Sequence, residues 1–468
     1  MLSSASRPRP PLFIAVAASL LLLFLSWSHL GLAHQNAMNA DFVPETVQLD
    51  QNFGKPAVPA HPEGLTEQPQ NPEMGKLPCA SLPGAEDVFV VMKTSATEVH
   101  EKLPTHLETT FRCIPNFAVF SDYEEEVQGQ KVHDLLDEVN QDLRQTHPDF
   151  SLYRQLHEYK SQGKDIAELA DAVQHQALKL DKWKFLPLME KALKAQPEAK
   201  FYFFMEADTY VIWSNLLKWL SFFEPEKPLY VGGQNWMLDK QFASGGSGII
   251  LSKNSLERVV AQRKNNLETF DKLTAADYAG DVVLSRVMET VAVPLTGAFP
   301  IIQGENPYTL DYTKNHWCYP VVSYHHMKPE WTKAMWDFEQ SWMSQGADRP
   351  TLRHRDVFAH VVAPQISGEK DNWDNLSDDY EETPQEYSLQ GCREACAQRE
   401  DCVQYLFSPG RCQTGKVIRL GQAGSERDPV NLGQDTTSGW VVDRINSFIQ
   451  SVEPCQQDHW ITSPAPGQ

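Results

Sequence analysis

The chain has 468 residues, with Lys+Arg 41 against Asp+Glu 62 and a net charge of −21. That balance argues against a general nucleic-acid binder, which carries a basic footprint, and against attachment through anionic lipid. A hydrophobic fraction of 41% with 12 Trp, 14 Tyr and 22 Phe supplies large cores and rules out wholesale disorder; such a length allows about three domains.

Residues 1–11 carry Arg7 and Arg9 and no acid. From Leu12 to Ala33 the chain is apolar and almost uncharged, about the length that spans a bilayer as a helix. The basic side stays in the cytosol. The Leu-rich run has no clean small-residue cleavage site, which favours an uncleaved signal anchor at 12–33 over a cleaved signal. The remainder is then lumenal. Residues 34–80 read as a stem, with Pro44, Pro56, Pro59, Pro62, Pro69, Pro72 and Pro78 and no periodicity.

The folded part opens with an apolar run, Asp87–Lys93, expected as a strand. Phe117–Asp122 is a second strand ending in a polar pair. Residues 128–196 are charged and helical in pattern, broken near Pro148 and Gly163. Phe201–Met205, Leu229–Gly233 and Gly248–Ser252 are further strands. Strands alternating with helices predict an α/β sheet, here over 81–363. An acidic linker follows at 364–386, and within it Asn375-Leu-Ser377 is an N-glycosylation acceptor. A Cys-rich unit occupies 387–460, with Cys392, Cys396, Cys402 and Cys412. These spacings, with no His between, fit disulfides better than zinc, and all three connectivities stay open. Cys79, Cys113, Cys318 and Cys455 make two more bridges, with Cys79–Cys113 preferred because both flank the first strand.

The informative block is Phe201-Tyr-Phe-Phe-Met-Glu206-Ala-Asp208-Thr-Tyr-Val211. An apolar strand delivers two carboxylates to its C-terminal end, where open α/β sheets bind ligands. Such oxygens suit Mn²⁺ or Mg²⁺, and an ion there can neutralise charge on a leaving group. Alone, this E-x-D is no more than a pair of solvated loop acids. It is followed, however, by Asn215-Leu-x-x-Trp-Leu220, Pro228-Leu-Tyr-Val-Gly232 and Phe242-Ala-Ser-Gly-Gly-Ser-Gly248. In order and spacing, these motifs over about 87–340 resemble glycosyltransferase family 31, the family of fringe and core 1 β1,3-galactosyltransferases, and most of all its filamentous-fungal branch. The 392–412 cluster with Tyr405-Leu-Phe407 resembles the PAN/apple fold, a small disulfide-bonded α+β module.

The resemblance implies a GT-A fold, a UDP-sugar donor (UDP-galactose first among them), a divalent ion (Mn²⁺ or Mg²⁺), inversion and a β1,3 linkage. The acceptor is a glycan on a glycoprotein or glycolipid, and the setting is a Golgi membrane. Glu206 and Asp208 stand at the D-x-D positions, with Glu206 departing from the usual Asp. His325, in Val321-Val-Ser-Tyr-His325-His326-Met327, stands where the family completes the metal shell, and is preferred over His326. Asp281, in Ala279-Gly-Asp-Val-Val-Leu284, stands where the family places its catalytic base; a base must take the acceptor proton in a single displacement. Read without the family, Asp281 is a helix cap, and the His pair is a strand end. Thr94, Ser121 and Asp122 fall beside uridine and ribose, Lys184 near the diphosphate, and Gly245-Gly246 where backbone approaches ligand closely; ordinary turns and a lysine-bearing helix face are the plain alternatives. A rival function also stands: Glu206, and Gly280 where relatives have Glu, would suit a catalytically inactive lumenal binding or chaperone-like protein.

Overall fold

A computed structural model describes residues 77–463, apart from 80, 170–172, 238–239, 347–350, 383–387 and 424–435. The expected cytosolic tail 1–11, membrane span 12–33 and nearly all of the stem 34–80 lie outside the described residues. Among the described residues no helix is long and apolar enough to cross a membrane.

The described chain forms two units. One comprises the residues up to Gln365 together with those from Val452 onward; the other spans Ile366–Ser451. The first is built on a mixed eight-stranded sheet in the order β11-β7-β10-β5-β1-β2-β4-β3. Its strands are β1 (Val88–Lys93), β2 (Phe117–Ser121), β3 (Glu125–Val127), β4 (Gln130–Asp134), β5 (Phe201–Glu206), β7 (Tyr230–Gly232), β10 (Ile249–Ser252) and β11 (Thr296–Gly297). β1 is buried along its whole length and β5 in all but its last residue, as continuous apolar strands in the middle of a covered sheet should be. Helix α1 (Val99–Glu108), helix α2 (Phe185–Ala195) and helix α3 (Gly280–Thr290) flank the sheet. This is an α/β fold of the GT-A type.

The pairing sets the direction of each strand. β5, β1, β2 and β4 run parallel. β10 is antiparallel to both β5 and β7, and β11 is parallel to β7. Lys93, Ser121, Glu206, Gly232 and Gly297 therefore end their strands on one edge, where ligands gather in open α/β sheets. One local expectation fails: Gln130–Asp134 lies in the segment expected to be helical yet forms β4. Val132 is buried between exposed Lys131 and half-buried His133, a strand alternation too short to outweigh the helical pattern around it.

The second unit carries a five-stranded sheet in the order β13-β19-β16-β17-β15. These strands are β13 (Glu369–Asp371), β15 (Tyr380–Glu382), β16 (Gln404–Ser408), β17 (Arg411–Gly415) and β19 (Thr437–Trp440), and a pair outside that sheet joins β14 (Trp373–Asp374) to β18 (Gln422–Ala423). Helix α4 (Leu389–Gln398) is tied to β17 by Cys392–Cys412 and to the following turn by Cys396–Cys402. The acidic stretch expected as a linker instead supplies β13 to β15. Its charges are partnered: Glu369 pairs with Arg393 and accepts the Tyr405 hydroxyl, and Lys370 stands 3.5 Å over the Trp373 ring.

The remaining disulfides lie in the first unit, Cys79–Cys113 and Cys318–Cys455. The latter fastens the returning segment after Val452, which also places Asp458 2.8 Å from Arg353 and the Ile461 carbonyl 2.7 Å from the Trp219 indole.

Candidate active site

Two short strands assemble the metal-type ligands. β6 (Tyr210–Val211) pairs antiparallel with β12 (Ser323–Tyr324), register Tyr324↔Tyr210. That register brings the residues before β6 beside those after β12. Met327 N–H donates to the Asp208 carbonyl at 2.9 Å, and His325 Nε2 lies 3.3 Å from Asp208 Oδ1. His326 adopts a left-handed φ of 54°, which turns its ring back to stack on His325 at 3.8 Å. One ligand atom each from Asp208, His325 and His326 then fall within 4.8 Å of one another. From below, buried His106 supports the loop by donating from Nε2 to the Ala207 carbonyl at 2.8 Å; burial pushes its pKa down to about 4.

Glu206 is not in this cluster. Its carboxylate lies 3.1 Å from Lys93 Nζ. Lys93 also meets both oxygens of Asp181 at 2.6 Å and covers the Phe185 ring at 4.6 Å. Burial works against the charge on Lys93, but Asp181 and then Glu206 outweigh it and raise its pKa. Of the expected ligands Glu206, Asp208 and His325, the structure brings Asp208 and His325 together with His326, while the Glu206 carboxylate pairs with Lys93. A carboxylate with two imidazoles fits a borderline ion such as Mn²⁺ better than Mg²⁺, which prefers oxygen alone.

Four of the six expected donor contacts, Thr94, Ser121, Asp122 and Lys184, pair within the fold. Lys184 Nζ lies 2.9 Å from Asp122 and donates to the Thr94 carbonyl at 3.0 Å. Asp122 also accepts Ala96 N–H at 2.7 Å. Thr94 Oγ1 donates to Glu98, and Ser121 Oγ to the Tyr123 carbonyl. All four residues are buried. They lock the ends of β1 and β2 to the start of α2 instead of presenting polar atoms to a ligand.

Gly245 and Gly246 sit at the centre of the site. A Cβ on Gly246 would lie 2.1 Å from His325 Nε2; one on Gly245 would lie 2.7 Å from the Phe185 ring and 3.1 Å from Glu206. Thr209 Oγ1 donates to the Gly246 carbonyl at 2.7 Å. On the other flank, Gly245 N–H donates to Asp281 Oδ2 at 3.2 Å. Asp281 lies in the first turn of α3 rather than at its cap, which is Ala279. Burial raises its pKa to about 6, against the Gly245 hydrogen bond, and the charge of Glu206 adds to the rise. A carboxylate so placed is ready to accept a proton near neutral pH. Gly280 also gains a reason: a Cβ there would strike Phe185 at 2.2 Å. Phe185 fills the space between Gly245 and Gly280, and the glycine accommodates that ring.

Lys102 escaped the sequence reading. Its Nζ lies 2.6 Å from Glu98 and 3.6 Å from Asp208. Burial opposes its charge, but Glu98 and Asp208 prevail and raise its pKa. The i,i+4 pair with Glu98 was the visible signal; the contact with Asp208 left none.

The expected glycosylation acceptor lies inside the second unit. Asn375 and Ser377 are both fully buried. The Asn375 amide donates to the Tyr405 and Gly439 carbonyls at 3.1 and 3.2 Å. A glycan on that nitrogen would displace both contacts.

The Asp208, His325 and His326 group beside the β6–β12 pair and Asp281 beside Gly245 are the geometry of the candidate site. A family model described as Fringe-like matches residues 84–328. The chain belongs to the Fringe-like family, whose members are in general glycosyltransferases.

Proposed function

We propose that this chain is an inverting glycosyltransferase that moves a hexose from a UDP-sugar, UDP-galactose first, to a glycan hydroxyl in β1,3 linkage. The observation that carries this reading is the adjacency of Gly245 and Gly246: one touches Asp281, the other His325 of the metal-type cluster. A nucleophile and a leaving group must be activated side by side, and here their two sets of groups meet on neighbouring residues.

The chemistry is one displacement. The acceptor oxygen bonds to the anomeric carbon, the bond from that carbon to the diphosphate oxygen breaks, and the electron pair leaves with UDP. Asp281 accepts the hydroxyl proton. Asp208, His325 and His326 would hold Mn²⁺, which when bound neutralises charge on the diphosphate. Lys102 adds a cation beside Asp208. The Lys184–Asp122 pair fixes the strand ends against which the nucleotide would lie. We place the chain in a Golgi membrane as a single-pass type II protein. That reading rests on the 12–33 sequence and on disulfides, which persist in oxidising compartments. The C-terminal unit is assigned as PAN/apple-like from its helix, sheet and cysteines.

The experiment is UDP release by the secreted, disulfide-bonded chain from a panel of UDP-sugars, with Mn²⁺ and with EDTA. Release from one sugar that needs metal, Asp208 and Asp281 supports transfer. Absence of both release and metal-dependent UDP binding would move the weight to an inactive binding protein.

A further inference from the structure

Trp236 is the only exposed tryptophan among the described residues, at 63% exposure. It stands on a hairpin of β8 (Gln234–Met237) and β9 (Lys240–Ala243) that leaves the sheet directly after Gly232, on the same edge as Glu206. Alternation in a strand puts Trp236 on the face of Gln234. Gln234 Oε1 accepts Phe299 N–H at 2.9 Å. Phe299 follows β11 off the same edge and is 45% exposed.

The hairpin is held against the helix that carries the base. Trp236 pairs with Gln241 across the ladder, and Ser285 Oγ donates to the Gln241 carbonyl at 2.8 Å. Lys240 forms an ion pair with Glu289 of the same helix. Ser285 lies one turn beyond Asp281. One turn of about 5–6 Å and a paired-strand spacing of about 5 Å set Trp236 roughly 10–15 Å from Asp281. That suits an acceptor of one or two sugars.

We propose that Trp236, on the hairpin whose Gln234 holds the Phe299 backbone, is the platform on which a hexopyranose of the acceptor stacks. An indole face is electron-rich and meets the C–H face of a pyranose. On its face of the hairpin the neighbours of Trp236 are neutral amides, Gln234 along the strand and Gln241 across the ladder, and amides both donate to and accept from hydroxyls. An aromatic ring edged by amides matches a sugar, which has one apolar face and a hydroxyl rim. The donor half of the edge has no such feature: its polar groups are closed on one another.

This inference rests on the transfer reading. Its test is glycoside-stimulated UDP release by the full chain with Mn²⁺. It uses the donor that wild type hydrolyses fastest and a panel of methyl hexopyranosides. One glycoside should stimulate release, and Trp236→Ala should raise its KM about tenfold to a hundredfold. Trp236→Phe should fall between, and Mn²⁺·UDP affinity by calorimetry should hold in both variants. An unchanged glycoside KM in Trp236→Ala would overturn the platform, as would stimulation by no glycoside from a wild type that binds UDP and hydrolyses donor. A wild type that neither binds Mn²⁺·UDP nor releases UDP would instead defeat the transfer reading, and the platform with it.

Discussion

The two halves of the candidate site use the same residue types to opposite ends. On the β1–β2 side, Lys93, Asp122, Asp181, Lys184 and Glu206 pair with one another and are buried or half-buried. On the β6–β12 side, one ligand atom each of Asp208, His325 and His326 lies within 4.8 Å of the others, and Asp281 keeps a carboxylate beside a glycine N–H. Charge alone does not make a site. A carboxylate clamped to a buried cation at 3 Å is part of the scaffold; Asp208, grouped with two imidazoles, sits among atoms that also suit a metal ion.

The comparison can be broken at several points. The largest effect falls on the open half: Asp281→Asn should lower kcat about 10²–10⁴-fold, the usual weight of a general base, with UDP affinity retained in calorimetry. On the closed half, Lys184→Ala should cost stability instead, about 3–5 kcal/mol in denaturant unfolding, because Asp122 would remain buried without its cation. A milder loss, about 1–3 kcal/mol, is expected for Gly280→Ala from overpacking against Phe185; Phe185→Leu in the same chain should recover part of it. The base also sets a pH dependence. Its pKa is raised to about 6 and its ionised form is the active one, so log kcat/KM should climb with pH through about 6 and level off above. A profile flat from pH 5 to 7 would remove Asp281 from that role. The smallest effect is none at all: Asn375 in the secreted protein should carry no glycan, and glycosidase treatment should leave the mass of its peptide unchanged.

Much of the fold was legible because β1 and β5 are continuous apolar strands, a pattern that needs no tertiary knowledge. Asp208, His325 and Asp281 were legible through linked motifs whose spacing resembles a family. What escaped were choices made by partners far apart in sequence. Nothing local says that Glu206 will reach Lys93, that Lys184 will hold Asp122, or that Phe185 will require a glycine at 280. His325 was preferred to His326, whose left-handed φ of 54°, invisible in sequence, accompanies the stacking of the two rings. Asn375 misled for the converse reason: the tripeptide is visible, but the sheet that buries it is not.

The most direct measurement of the division between the halves is Mn²⁺ binding in the presence of UDP, by calorimetry, on wild type, Asp208→Ala, His326→Ala and Glu206→Gln. The account expects binding to be lost in the first substitution, weakened in the second and kept in the third. Binding abolished by Glu206→Gln but untouched by His326→Ala would contradict it, restoring Glu206 as the ligand and making its pairing with Lys93 a state that the nucleotide breaks.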